Sequence, residues 1–360
     1  MNLLYTDIED QLRASVKDLL TDRATPTSVL ARCETDAPYD LALWRELTGL
    51  GVASLHVPEE LGGQGASTRE VAVVMEELGR FVAPVPFLGS AVLATTALLG
   101  CKAGTEVREL LDALGAGDKI GTLAVSLATA PGSGFPDVVR ADDAGLHGHV
   151  RSVADGLPAD VLLVPARGPD GPELHAVPVA QQGVTVTPVV SLDLTRPVVD
   201  VTLDGATGTL VAGPDAAESA VDGALWTAAG LIASEQLAIT EWCLATTVAY
   251  LKERNQFGRP VGSFQALKHR LADLWQDLVL ARAVARNAAD DPGPLSASLA
   301  KSLCSTVAVH AAEECVQLHG GIGMTWEHPA HLYLKRAKAD SIALGTAGRH
   351  RQLLAPLANL

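Results

Sequence analysis

The sequence predicts an α+β protein in which a small antiparallel β domain lies between two helical regions. Apolar residues recur at helical spacing up to about residue 118. Short β-type runs, separated by Gly, Pro and Asp, follow up to about residue 215, and long helical periodicity then returns. This order of elements is typical of an α+β chain. We therefore predict an N-terminal helical domain at 1–118, a middle β domain at 119–215 and a C-terminal four-helix-bundle-type domain at 216–360.

The first region is predicted to be helical. Its apolar spacing indicates helices at 7–20, 41–50 and about 88–99. Ser67 followed by Glu70 is a capping box that predicts the start of another helix. The segment 57–65 is too rich in Gly and Pro for regular structure.

The second and third regions differ in the period of their apolar residues. Four short runs are predicted as strands, at 123–127, 161–164, 174–178 and 199–203. Helices are predicted at 217–253, 264–289, 295–319 and 329–339, with a last one after about 346.

Composition excludes several functional classes. The net charge of −15 argues against binding to nucleic acid or anionic lipid, because both are polyanions. The longest apolar stretch, 90–101, is too short to span a membrane, which needs about 20 residues. The first residues resemble no signal peptide. The five cysteines lack paired spacing, so we expect reduced thiols in a cytoplasmic protein.

Four motifs occur in a fixed order along the chain. They are VPEELGG at 57–63, MEELG at 75–79, RNQFGRP with SFQ at 254–265, and QLHGG with G, TWE and LYLKRAK at 317–338. Together they resemble the signatures of the acyl-CoA dehydrogenase family, and the resemblance covers essentially the whole chain. It implies an acyl-CoA dehydrogenase-like fold and the cofactor FAD. In that family each FAD lies across a subunit interface, with its flavin ring in one subunit and its ADP end on the next.

The resemblance also implies which residues contact FAD. The matching positions are Arg254, Gln256, Phe257, Phe264, Gln265, Gln317, Leu318, His319, Gly320, Gly321 and Thr346. Arg254 and the glutamines suit a pyrophosphate and the rest of the ADP portion, while Gly320 and Gly321 permit close backbone approach. The purely structural alternative is that Arg254 caps one helix and the glycines end another.

The sequence departs from the family pattern in three functional parts: the base, the flavin-ring contacts and the substrate contacts. Leu344 stands where the family has its glutamate base, in a loop that reads ALGT at 343–346. Leucine cannot accept the α-proton of an acyl thioester. Segments 128–135 and 152–156 lack the family's flavin-ring contacts, and the substrate-holding Asp-x-x-Arg falls on WTAA at 226–229. The ADP-end motif remains.

A chain that keeps the ADP-end motif but lacks the base, the flavin-ring contacts and the substrate contacts resembles a non-catalytic partner subunit. Such subunits occur in heteromeric α2β2 acyl-CoA dehydrogenases, known for bulky steroid side-chain CoA esters. The leading hypothesis is such a subunit, inactive alone, which shares FAD with a homologous catalytic subunit that holds the acyl-CoA. A second hypothesis is a self-sufficient homomeric flavoenzyme with Glu235, or less favourably Glu241, as a displaced base. A third is a flavin-free scaffold protein.

Two further residue sets have alternative explanations. Glu235 lies on the apolar side of its predicted helix, where burial would raise its pKa toward a useful range, but an ion pair with a basic group is the favoured explanation. The histidines at 319, 328, 331 and 350 fit no standard zinc spacing, so no metal is expected.

Overall fold

The computed structural model describes residues 3–358. The helices that precede the strands are α1 (Asp7–Arg23), α2 (Pro26–Cys33), α3 (Leu41–Gly49), α4 (Thr68–Phe81), α5 (Thr95–Leu99) and α6 (Thr105–Ala116). The capping box predicted at Ser67 is present: its backbone N–H donates to the carboxylate of Glu70, at 2.9 Å. A second box, at Thr6 and Glu9, begins α1.

The N-terminal region corrects the sequence prediction in two respects. The helix predicted at about 88–99 is a π-helix at Phe87–Ala94 that continues into α5. Its first turn is held by Asp155, which accepts the backbone N–H of Gly89 at 2.7 Å. Helices α2 and α6 were missed. Thr25 caps α2 and accepts the N–H of Ser28 at 3.2 Å, but the helix has only eight residues.

The strands form an eight-stranded sheet. They are β1 (Gly121–Leu123), β2 (Val139–Asp142), β3 (Gly145–Ala154), β4 (Val161–Gly168), β5 (Gly171–Pro178), β6 (Val184–Pro188), β7 (Val198–Ala206) and β8 (Thr209–Ala212). Their order is β6-β7-β3-β2-β4-β5-β8, with β1 paired to β4. The prediction of an antiparallel domain is wrong in part, because both β1 and β2 pair with β4 in parallel. Strands β2, β3, β6 and β8 were missed: β2, β6 and β8 have only four or five residues each, and glycine and polar residues interrupt the apolar pattern of β3.

The second helical region follows its periodicity closely. It contains α7 (Ala217–Glu253), α8 (Gln265–Asp290), α9 (Pro294–His319), α10 (Ala330–Ile342) and α11 (Ala347–Leu357), with a short hairpin of β9 (Asn255–Gln256) and β10 (Arg259–Pro260) after α7. Helix α7 is apolar on most of its surface, as expected of a helix buried on several sides. It packs against α4, α8 and α9.

A buried ion network joins the sheet to the helical bundle. Arg336 on α10 donates to Asp193 and, at 2.6 Å, to Glu235 on α7. Arg196 donates to the same Glu235 at 2.6 Å and to Asp340 at 2.9 Å. Asp193 and Arg196 lie in the connection between β6 and β7, so the network fixes this connection against both helices.

Within residues 3–358, none of the helices has the length and apolar character that crossing a lipid bilayer requires.

We predict that Glu235→Gln lowers the free energy of unfolding by about 3–5 kcal/mol, because it leaves two buried guanidiniums without their shared carboxylate. Denaturant or thermal unfolding measures the change. The matched control is Glu313→Gln, whose exposed pair with Lys338 should contribute less than about 1 kcal/mol. Equal effects of the two substitutions would contradict the prediction.

The ion pairs of Glu235 with Arg196 and Arg336 also predict how the stability of the fold depends on pH. Burial alone raises the pKa of Glu235, but Arg196 and Arg336 outweigh burial and lower the pKa from 4.5 to about 2. A carboxylate with a depressed pKa stabilises the fold above its unfolded pKa and loses this effect as the pH falls. The difference in the free energy of unfolding between the wild-type protein and Glu235→Gln should therefore shrink as the pH falls from 4.5 toward 2. Unfolding experiments at several pH values measure it.

Candidate functional site

The hairpin after α7 presents an aromatic side chain to solvent. Gln256 and Arg259 are partners across the hairpin, so its turn consists of Phe257 and Gly258, with φ angles of 54° and 73°. Two left-handed residues are typical of a type I′ turn, but the left-handed region is unfavourable for phenylalanine. Phe257 is 90% exposed and lies edge-on to Phe264, at 6.1 Å between ring centroids.

Arg254 lies directly after the last residue of α7. Its backbone N–H donates to the carbonyl oxygen of Tyr250 at 2.9 Å. Its side chain is exposed and has neither an ion pair nor a hydrogen bond within residues 3–358. Arg254 therefore ends the helix through its backbone, and its guanidinium remains free for a ligand.

The end of α9 lies beside the end of α7. His319 is buried and stacks on the ring of Tyr250, with centroids 4.5 Å apart. Its Nδ1 donates to the carbonyl oxygen of Cys315 at 2.7 Å, whereas Nε2 has no partner within the described residues. Gly320 has a φ of 64°, and a Cβ added at Gly320 or Gly321 would meet no atom within 4 Å. The packing of the described chain thus gives no steric reason for glycine at position 321.

The start of α8 lies at the same end of the bundle. Arg270 on α8 pairs with Glu314 on α9 at 2.6 Å, which places the exposed Gln265 near the exposed Gln317. The structure therefore brings most of the predicted FAD contacts to one end of the bundle. We call them the ADP-end group: Arg254, Gln256, Phe257, Phe264, Gln265, Gln317, Leu318, His319, Gly320 and Gly321.

Thr346 does not belong to this group. It caps α11, and one turn later His350 lies 3.4 Å from Ser298 near the start of α9. Ser298 and His319 are separated by about 31 Å along α9, at 1.5 Å per residue. Within a single chain Thr346 therefore lies apart from the ADP-end group, and its contact with FAD stays a prediction.

The three departures from the family pattern meet in one place. The N–H of Leu344 donates to the carbonyl oxygen of Leu127 at 2.6 Å. The N–H of Leu127 in turn donates to the carbonyl oxygen of Ser152 at 2.9 Å. Leu344 is completely buried. The position of the family's base thus holds an apolar side chain within the packed core.

Trp226 completes this region. Its Nε1 donates to Asp222 at 3.0 Å, and the N–H of Gly132 donates to the other oxygen of the same carboxylate at 2.7 Å. The Trp226 ring lies edge-on to His350, whose Nε2 is 2.8 Å from the carbonyl oxygen of Leu344. We call these residues the ring-side cluster: Leu127, Gly132, Ser152, Asp222, Trp226, Leu344 and His350. Sequence reasoning missed the role of Asp222, which no motif identifies.

A cavity of about 550 Å³ beside the ring-side cluster is acidic. Asp215, Glu218 and Asp222 line it, and its lining residues include no lysine or arginine. Such a lining repels the phosphates of a coenzyme A ester. This cavity is therefore unsuitable for acyl-CoA.

The structure also rejects the alternative bases. Glu235 is paired with Arg196 and Arg336, and its low pKa is the opposite of the increase that a displaced base requires. Glu241 is paired with Arg80 at 2.5 Å and with Arg282 at 2.7 Å. Burial raises the pKa of Glu241, but these guanidiniums outweigh burial and lower it. Both carboxylates are structural partners of arginine, as the favoured sequence interpretation of Glu235 holds.

Family models match most of the chain. The acyl-CoA dehydrogenase N-terminal domain matches residues 6–108, and the C-terminal domain of the same family matches residues 219–356. The chain belongs to the acyl-CoA dehydrogenase family. Acyl-CoA dehydrogenases are oxidoreductases that use FAD.

Three similar proteins are informative. Acyl-CoA dehydrogenase IpdE2 of Mycolicibacterium smegmatis is 39% identical over 335 residues, which cover 93% of each chain. A chain of the Tcur3481–Tcur3483 steroid ACAD is 32% identical, with a TM-score of 0.86 and 98% coverage of both chains. A chain of the ChsE4–ChsE5 complex from Mycobacterium tuberculosis is 30% identical, with a TM-score of 0.89 and complete coverage of both. Two of these relatives are therefore chains of complexes with two named components.

The residues present fit one end of FAD and not the other. At the ADP end, Arg254 has a free guanidinium, His319 Nε2 is buried without a partner in the described chain, and the space beside Gly321 is open. At the ring side, Leu344 and Trp226 fill the region with apolar and aromatic atoms.

We predict that Leu344→Glu gives no dehydrogenase activity to the chain alone and lowers its free energy of unfolding by about 2–4 kcal/mol, because it buries a carboxylate with no basic partner. Thermal unfolding and an acyl-CoA oxidation assay measure the two effects. The control is Ile342→Glu, because Ile342 is 55% exposed and should tolerate the charge. Activity in the Leu344→Glu variant alone would show that the ring-side cluster still holds flavin and substrate.

Proposed function

We propose that the chain is the non-catalytic partner subunit of a heteromeric FAD-dependent acyl-CoA dehydrogenase, with α2β2 stoichiometry. In this complex it contributes the ADP-end half of the FAD site, and a homologous catalytic subunit contributes the flavin-ring half, the acyl-CoA cleft and the base. The observation that carries the proposal is the contrast between the free Arg254 at one end of the bundle and the buried Leu344 at the other.

The distance between these two ends supports a shared site. Trp226, in the third turn of α7, and Arg254, directly after its last residue, are separated by about 42 Å at 1.5 Å per residue. One extended dinucleotide cannot reach from the ADP-end group to the ring-side cluster of the same chain. A complete site that uses the ADP-end group therefore requires a second chain to hold the ring.

The residues of this chain would bind and orient the cofactor. When bound, FAD would supply the acceptor for the hydride that leaves the acyl-CoA during α,β-dehydrogenation. Arg254 would neutralise the pyrophosphate, and Gln265 and Gln317 would hydrogen-bond the ADP portion. The Nε2 atom of His319 would obtain its missing partner there. None of these groups handles the substrate proton, which the catalytic subunit would accept.

The relatives support the substrate class and the assembly. One similar structure is described as a steroid ACAD and another as a complex of two proteins. We therefore propose a bulky steroid side-chain CoA ester as substrate, bound in the cleft of the catalytic subunit. All five cysteines are free, as expected of the cytoplasm, where we place the complex.

We predict that Arg254→Gln weakens FAD binding by the co-expressed complex about 10- to 100-fold, because it removes a charge-assisted contact worth about 1.5–3 kcal/mol. Flavin per complex and FAD titration of the apo-complex measure the effect. Lys252→Gln is the control, since it removes an equal charge from an exposed residue two positions earlier.

The second part of this experiment compares the chain expressed alone with the co-expressed complex. The chain expressed alone should be colourless and inactive, and the complex yellow and active. One FAD per subunit in a complex built only from this chain would overturn the proposal. Unchanged flavin content in Arg254→Gln would instead favour a flavin-free scaffold.

A further inference from the structure

Four arginines converge on one pocket away from the ADP-end group. Arg13 on α1, Arg80 on α4, and Arg282 and Arg286 on α8 line a cavity of about 590 Å³. Its floor includes Leu244 and Leu278. We call it the arginine pocket. The concentration of positive charge contrasts with the net charge of −15 for the whole chain.

The carboxylates at the pocket do not balance these arginines. Glu77 is shared by Arg13, at 2.8 Å, and Arg80, at 3.3 Å. Glu241 is shared by Arg80, at 2.5 Å, and Arg282, at 2.7 Å. Four guanidiniums thus face two paired carboxylates. A third carboxyl, that of Glu76, is fully buried, and burial followed by the repulsion of Glu241 raises its pKa to about 7.

The arginines retain unused donors. Arg282 bonds Glu241 through Nε and Nη2, and Arg286 bonds the carbonyl oxygen of Leu3 through Nη1. Within residues 3–358, Nη1 of Arg282 and both Nε and Nη2 of Arg286 have no acceptor, and Nε of Arg286 is buried. A buried guanidinium donor without an acceptor is costly, so a ligand that supplies an acceptor to Nε of Arg286 is favoured.

The side chains are also held in place before any ligand binds. The guanidiniums of Arg286 and Arg13 lie 4.1 and 5.1 Å from the centroid of the Tyr5 ring. The cation–π contacts fix two like charges near each other without neutralising either. Preorganised guanidiniums that outnumber their carboxylate partners are suited to bind an anion.

We propose that the arginine pocket binds an organic phosphate or pyrophosphate. The surplus of positive charge attracts an anion, the planar guanidiniums match the oxygens of phosphate, and the side chains of Leu244 and Leu278 accommodate an apolar portion. The pocket is separate from the proposed FAD half-site, because Glu241 at its wall lies about 20 Å from Arg254 along α7.

The test is calorimetric titration of the full chain, as purified with any partner, with inorganic pyrophosphate and with ADP. Arg282→Gln and Arg286→Gln should each weaken pyrophosphate binding at least about ten-fold, the effect of one lost charge-assisted contact. Arg270→Gln is the matched control on α8, because Arg270 is already paired with Glu314 outside the pocket. The titrations are repeated in the Arg254→Gln background, which removes the proposed pyrophosphate contact of the ADP-end group and leaves the arginine pocket intact.

Two additional arms keep the result interpretable. Arg282→Lys retains the charge and should bind with intermediate affinity, and thermal unfolding confirms that each variant is folded. ADP that binds more tightly than pyrophosphate, or equally tightly, supports the proposal; the first result adds recognition of the organic portion. Absence of binding, equal loss in Arg270→Gln, or preference for a poly-glutamate peptide would overturn it.

Discussion

The buried ion network around Glu235 is the constraint on which the rest of the structure depends. Arg196 and Arg336 share Glu235, and each also binds an aspartate, so the connection before β7 is fixed against α7 and α10. Lys301 on α9 extends the network by donating to the carbonyl oxygen of Asp340 at 2.7 Å. Burial lowers the pKa of Lys301 to about 8. Buried charges of this kind contribute little net stability, but each becomes costly if its partner is removed, and the network thereby specifies one arrangement of sheet and helices.

That arrangement determines what each end of the helical bundle can do. Helix α10, which carries Arg336 and Asp340, leads directly into the loop of Leu344, whose backbone is tied to Leu127. Helix α7, which carries Glu235, also carries Trp226 and ends immediately before the free Arg254. The same rigid helices thus present a packed, apolar region at one end and exposed polar donors at the other. In the function that we propose, such a chain completes a neighbour's cofactor site and leaves the proton transfer to that neighbour.

Charge distribution separates the surfaces further. The cavity at the ring-side cluster is lined by carboxylates, whereas the arginine pocket collects four guanidiniums around shared glutamates. Four guanidiniums around two shared glutamates leave a local surplus of positive charge, which favours the approach of an anion. The convergence arises from three separate segments of the chain, around residues 13, 80 and 282–286, and no motif links them.

The sequence alone determined the long elements and the family. Helix α7 occupies the predicted residues 217–253, because a long apolar period defines a helix without tertiary information. Short or polar elements such as α2 and β3 were not predicted, because they are stabilised by packing against the rest of the chain and have little local sequence pattern. The sequence also predicted that a leucine, residue 344, stands where the family has its glutamate base. Only the tertiary structure decided that Glu235 is an ion-pair partner, that Thr346 lies apart from the ADP-end group and that four arginines share a pocket. Each depends on contacts between residues that are far apart in the chain, and local sequence patterns do not encode such contacts.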